Sequence, residues 1–159
     1  MKLIPTSSQT VGPFFSIGLA PLYRKATPAS SDRTITLAGK IFDGDRQPVP
    51  DAILEFWSGD NFTRVATSED GSYSVVFELS LTNSPATFSD VLIFMRGLLK
   101  PVRTRIYFSD LDTIKNNPEL KEVPADRIGT LLVRKAAAPN RYSWDVFMQG
   151  DSETVFFHF

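Results

Sequence analysis

The sequence predicts an all-β protein: a mostly antiparallel β-sandwich with an extended N-terminal arm and a few short helical turns. Three observations carry this. Apolar and polar residues alternate with a period of two over many short runs, as they do on half-buried strands. Clusters of Gly, Pro, Asp and Ser separate those runs at regular spacing, which is the pattern of strands joined by turns. Thirteen of the 159 residues are Phe; rings of that size bury enough area each to fill a thick core or a subunit face.

The elements follow in order. Residues 1–33 contain Pro5, Pro13, Pro21 and Pro28 among Ser and Thr. Proline at that density blocks regular helix and central strand, so an extended arm is expected. Phe14, Phe15, Ile17 and Leu19 make the arm too apolar to stand free in water; it should lie across the body or across a partner. Residues 34–159 form one β-sandwich domain. Thr34–Phe42 places Ile35, Leu37 and Ile41 on one face. The stretch 43–50 (DGDRQPVP) is rich in turn residues. Residues 52–57 and 62–67 read as the next two strands, and Ser68-Glu69-Asp70-Gly71 as a turn before a strand over 72–77. Further strands are expected over 91–95 and 104–108. Ser109-Asp110 can cap a short helix through Ile114 that ends near Pro118, and residues 124–127 can start another helical turn, with Pro early in it. Strands over 131–134, 142–148 and 154–159 complete the set. There is no internal repeat and no second domain.

Composition excludes several functions. The net charge of -1 argues against nucleic-acid binding, which rests on a strongly basic face. No apolar run is long enough to cross a membrane, and the N-terminus lacks the apolar stretch of a signal peptide. There is no cysteine, so no disulfide scaffold; this fits a reducing cytoplasm, and a cytoplasmic location is expected. The single histidine, His158, sits next to the last residue. Zinc and most redox metals are held by clusters of His or Cys, and a Ser-His or Cys-His nucleophile needs a histidine within reach.

Few residues carry chemistry by themselves. Residues 96–105 hold Arg96, Lys100, Arg103 and Arg105 and no anion. This is either a solvated basic hairpin or a pocket for an anion, since Arg grips carboxylates in a planar fork. Asp43-Gly44-Asp45 lacks the oxygen ladder of a calcium loop and reads as a turn. Trp57, Trp144 and the strand tyrosines Tyr73, Tyr107 and Tyr142 are expected to pack in the core. His158 is expected to be exposed or locally paired at a strand end.

Read together, several blocks resemble one family. Ser8-Gln9-Thr10-Val11-Gly12-Pro13-Phe14-Phe15, Phe94-Met95-Arg96-Gly97, Thr104-Arg105-Ile106-Tyr107-Phe108 and the tail over 149–159 (QGDSETVFFHF) are similar to the α subunits of the intradiol ring-cleavage dioxygenases that act on protocatechuate. Leu37-Ala38-Gly39-Lys40-Ile41-Phe42-Asp43, Pro48-Val49-Pro50-Asp51-Ala52 and Glu55-Phe56-Trp57 resemble the sandwich core of the family at large, which transthyretin-like domains share. The resemblance runs through nearly the whole chain in the same order, with a shortened form here: the stretches from Trp57 to Thr67 and from Tyr73 to Val91, where the ligand tyrosines of catalytic relatives fall, are brief.

The resemblance implies a mostly antiparallel sandwich and a division of labour. In the family a β subunit holds Fe(III) with two Tyr and two His and opens a catechol ring with O2, while the α subunit packs against it without a metal. The His-x-His pair of the catalytic chains falls here on Phe88 and Asp90, so no metal is expected in this chain. The resemblance assigns Thr10, Gly12, Pro13 and Arg96 to the substrate side of the partner's site, where Arg96 would meet a small aromatic acid. A β-type dioxygenase subunit is the expected partner. The other reading is a metal-free, stand-alone β-sandwich for binding or assembly, a homo-oligomer held together by its Phe-rich arm and tail.

Overall fold

The computed structural model describes residues 7, 12, 14–19, 33–80 and 86–158. Its elements in chain order are α1 (Phe14–Leu19), β1 (Thr34–Phe42), β2 (Ile53–Ser58), β3 (Asn61–Ala66), β4 (Ser72–Glu78), β5 (Phe88–Phe94), β6 (Val102–Tyr107), α2 (Leu111–Lys115), β7 (Arg134–Lys135), β8 (Arg141–Ser143) and β9 (Val146–Phe147), with 3-10 turns at Pro118–Leu120 and Ile128–Leu131. They form two sheets. One runs β4-β1-β8-β7, with β9 also on β1; the other runs β3-β2-β5-β6. Pairing is antiparallel except that β1 runs parallel to β8 and β9.

The alternation read from β1 sets the core. Ile35, Leu37 and Ile41 are buried, and they meet Leu54, Phe56, Val91, Ile93 and Ile106 of the other sheet. Phe56 stacks on Phe77 at 5.4 Å and lies 6.2 Å from Tyr73, so the aromatic content fills the space between the sheets. The outward face of the second sheet carries a smaller cluster, in which Tyr107, Ile114, Leu120, Ile128 and Leu131 pack together. α2 and the two 3-10 turns thus cover one end of that face. Asp110 caps α2 as expected, its carboxylate accepting the Thr113 N–H at 2.8 Å.

Four expectations are corrected. Phe14–Leu19 is helical, whereas prolines were expected to keep the arm free of helix; a proline directly ahead of a helix, as Pro13 stands in sequence, does not oppose one. The expected strand over 131–134 is broken up: Leu131 closes the 3-10 turn at Ile128–Leu131, Leu132 makes an isolated bridge to Tyr107, and β7 begins only at Arg134 and is two residues long. The strand expected over 142–148 is broken into β8 and β9. Trp144 turns inward between them, its indole N–H donating to the Thr130 carbonyl at 2.9 Å, and Asp145 accepts the Lys40 N–H at 2.9 Å. Within 154–158 there is a single bridge, Phe157 to Arg103, because the backbone there bonds outside a ladder: the Val155 N–H donates to the Thr130 hydroxyl and its carbonyl accepts from the Thr104 hydroxyl.

The turn after β1 needs no ion. One Asp43 oxygen accepts the N–H groups of Asp45 and Gln47 at 2.9 and 2.8 Å, a side-chain-closed turn. In the turn before β4, Asp70 accepts from the Ser72 hydroxyl at 2.6 Å and from the Lys40 ammonium at 2.9 Å. The Ser72 hydroxyl first, and Lys40 after it, hold its carboxyl far below the usual carboxylate range. A depressed folded-state pKa stabilises the fold above the unfolded value, near 4, and that contribution is lost as pH falls toward the folded value. In thermal melts from pH 7 to pH 2, wild type should therefore exceed Asp70→Asn most at neutral pH, with the gap closing steadily below about pH 4.

Candidate functional site

Strand alternation turns Phe88 and Asp90 of β5 to the outward face, opposite Val91 and Ile93 in the core. The hairpin register sets Phe88 opposite Tyr107 and Asp90 opposite Arg105. Asp90 accepts from Arg103 at 3.0 Å and from Arg105 Nε at 2.9 Å. Arg105 also pairs with Glu119, and its guanidinium lies 3.9 Å over the centroid of the Phe88 ring. Its side chain is 13% exposed. Burial works most strongly against the Arg105 charge, but the bonds to Asp90 and Tyr107 and the attraction of Asp90 together outweigh it, and the net shift is upward. Burial pushes the Tyr107 hydroxyl pKa up, with Arg105 pulling against it, and Asn117 donates to that hydroxyl at 3.3 Å. Asp90, Arg103, Arg105, Tyr107, Glu119 and Phe157 line a cavity of about 240 Å³.

The cluster does not fit iron. Phe88 has no donor atom, and the Asp90 carboxylate is engaged by two guanidinium groups. A trivalent cation would be set against both of those charges. Among the described residues no three of His, Cys, Asp and Glu converge. In the sequence Phe88 and Asp90 stand out through the resemblance, and Arg103 and Arg105 read as part of a basic hairpin or of an anion pocket, with no sign that they pair with Asp90. Their i, i+2 spacing opposite an Asp was the signal, and it becomes legible only with the β5–β6 register.

The second part of the site is the turn after β5. Arg96 is 60% exposed on its side chain and bonds Asp51 at 2.6 Å. Gly97 follows it at φ 91, a left-handed conformation that glycine adopts without cost. The arm comes to the same place: Phe15 of α1, with Phe94, Met95, Leu98, Leu99 and Pro101, lines a cavity of about 150 Å³. Gly12, just ahead of α1, has φ 64 with nothing within 4 Å of a built Cβ, so backbone conformation rather than space favours glycine there. Of the four predicted substrate-side residues, Gly12 and Arg96 are described; Thr10 and Pro13 lie outside the described residues. Phe14, Ile17 and Leu99 are exposed around this region of arm and turn. Trp57, expected in the core, is instead 42% exposed and lies 4.5 Å from the Phe62 ring. It is on the outward face of β2, beside the charged pair Glu55–Arg64. His158 is exposed, as expected.

No family model matches the chain. Its fold does match solved structures: an intradiol ring-cleavage dioxygenase from Tetranychus urticae superposes with a TM-score of 0.55 at 9% identity, over 77% of this chain and 84% of that one. Two facing sheets with a helical cover over the outward face of one thus place the chain in the intradiol dioxygenase fold class. Sequence narrows this. The protocatechuate 3,4-dioxygenase alpha chain of Burkholderia cepacia is 36% identical over 96% of each chain, and that of Pseudomonas putida is 29% identical over 100% of this chain and 99% of the relative. The chain belongs to the family of protocatechuate 3,4-dioxygenase alpha chains. The alignment with the Burkholderia cepacia protein runs to 190 positions against the 159 residues here, so that relative carries stretches without a counterpart in this chain. Among the described residues no helix is long and apolar enough to cross a membrane.

Proposed function

We propose that this chain is the non-catalytic α-type subunit of a cytoplasmic, protocatechuate 3,4-dioxygenase-like complex. A β-type partner supplies the Fe(III) that lets O2 cleave a catechol, and this chain shapes the substrate side of that site. The observation that carries the reading is the pair Phe88 and Asp90: a donor-free ring and an ion-paired carboxylate stand at the two positions to which the resemblance assigns the His-x-His pair of catalytic chains. Thr10, Gly12 and Pro13 of the arm and Arg96 of the turn after β5 line the shared pocket, with Arg96 meeting the carboxylate of an aromatic acid. The meeting of α1 with the Arg96 turn supports this, and exposed Phe14, Ile17 and Leu99 favour a partner over that face.

Co-expression with a neighbouring β-type chain tests the proposal. The two chains should co-elute at fixed stoichiometry and cleave a catecholic acid. Separate elution, with this chain a folded homo-oligomer by sedimentation, would favour the stand-alone sandwich instead. In the complex, Arg96→Gln should raise KM for the acid by about 1–3 kcal/mol of lost charge-assisted bonding, roughly 5- to 150-fold, and leave a carboxylate-free catechol nearly unchanged.

A further inference from the structure

We infer that Asp51 is a specificity-determining residue of the Arg96 site: its carboxylate occupies the guanidinium that an aromatic carboxylate takes over on binding. The inference rests on the reading of Arg96 given above and adds a residue to it. Four cations and no anion lie between residues 96 and 105, so the anion that meets Arg96 comes from elsewhere. It comes from the turn before β2, where Asp51 Oδ2 accepts from Arg96 Nη2 at 2.6 Å. That is the contact a ligand carboxylate would make.

Two features separate this pair from the other ion pairs of the site. First, it is open to water: the side chains are 60% and 40% exposed, against 13% and 26% for Arg105 and Asp90. An exposed pair holds its partners by little, a factor of up to about fivefold in an equilibrium, so a competing carboxylate can displace it. Second, Asp51 sits at φ 63, a left-handed conformation that favours glycine. The conformation is imposed by the turn and not by the ion pair. The Thr67 hydroxyl braces the turn by donating to the Val49 carbonyl at 3.0 Å and accepting the Ala52 N–H at 2.9 Å. A glycine would serve that backbone better. An aspartate there places a carboxylate at a fixed point in front of Arg96.

Asp51 therefore lowers the affinity for any anionic ligand by the strength of its own pair, and leaves neutral phenols unaffected. The test uses the full chain, titrated with 4-hydroxybenzoate and with phenol while the backbone amide signals of Gly97 and Leu98, which every variant keeps, are followed by NMR. Asp51→Asn, which tolerates the left-handed backbone, should bind 4-hydroxybenzoate roughly 3- to 5-fold more tightly than wild type, an amount set by the strength of an exposed pair. Phenol binding should not change. Asp51→Gly should give the same result, which separates loss of the carboxylate from any effect on folding. Adding Arg96→Gln should abolish the gain. Equal or weaker binding by both Asp51 variants, with wild type binding the acid, overturns the role of Asp51; no binding of the acid by any form at millimolar ligand overturns the Arg96 reading and the inference with it. If Arg96→Gln alone binds the acid as wild type does, it is the Arg96 reading itself that fails.

Discussion

Asp90→Ala is expected to cost about 2–4 kcal/mol of stability, near the range for breaking a buried ion pair and reduced because the Asp90 side chain is 26% exposed. The reason is what remains. Arg105 would keep its Glu119 partner and its place over Phe88 but lose the anion that offsets its burial, and Arg103 would lose its bond to the same carboxylate. Unfolding in urea should show a lower midpoint at unchanged slope. Asp90→Asn, which keeps the shape and one acceptor, should fall between the two. A midpoint equal to wild type for Asp90→Ala would mean that the outward cluster is solvent-screened and does not hold the helical cover in place. The same arrangement predicts that His at both 88 and 90 would not restore an iron site. The exchange removes the ring under Arg105 and the carboxylate beside it, and leaves two cations facing the metal.

Gly39→Ala should be at least as damaging, at about 3 kcal/mol or more. A Cβ at Gly39 would lie 1.7 Å from the Trp144 carbonyl oxygen. That oxygen cannot retreat freely: it accepts the Tyr73 hydroxyl at 2.7 Å, and the Trp144 N–H donates to the Ala38 carbonyl at 2.9 Å. The clash is with backbone, so no rotamer change relieves it. Thermal unfolding should move down by about 6–12 degrees or more for a domain of this size, or expression should fail; a near-wild-type melt would show that β8 and β9 are not held against β1 as described.

The residues explain why some of this was legible in advance. β1 announced itself through Ile35, Leu37 and Ile41, since a strand with one buried face must alternate. Asp110 announced α2 because a carboxylate ahead of a short apolar stretch satisfies the free N–H groups of a helix start. The later elements were harder. Trp144 breaks one alternating run in two through a single indole bond to Thr130, and Val155 bonds to the Thr130 and Thr104 hydroxyls where a ladder was expected; both are tertiary choices that no local period encodes. Trp57 alternates with Phe56 just as a core residue of the opposite phase would, and only the position of β2 within its sheet decides which of the two is buried. At the site, resemblance pointed to Phe88, Asp90 and Arg96. Their partners were invisible, because Asp51 lies 45 residues from Arg96 and Glu119 lies on a separate 3-10 turn.

A chain that shapes a dioxygenase site without holding its metal should leave the iron with its partner. Iron analysis of the chain purified alone, and of the same chain purified with a β-type partner and then separated from it, tests that most directly. The expected result is ring-cleaving activity and iron in the complex, with the iron following the β-type chain on separation and essentially none in this chain in either preparation. Stoichiometric iron in the chain purified alone would contradict it.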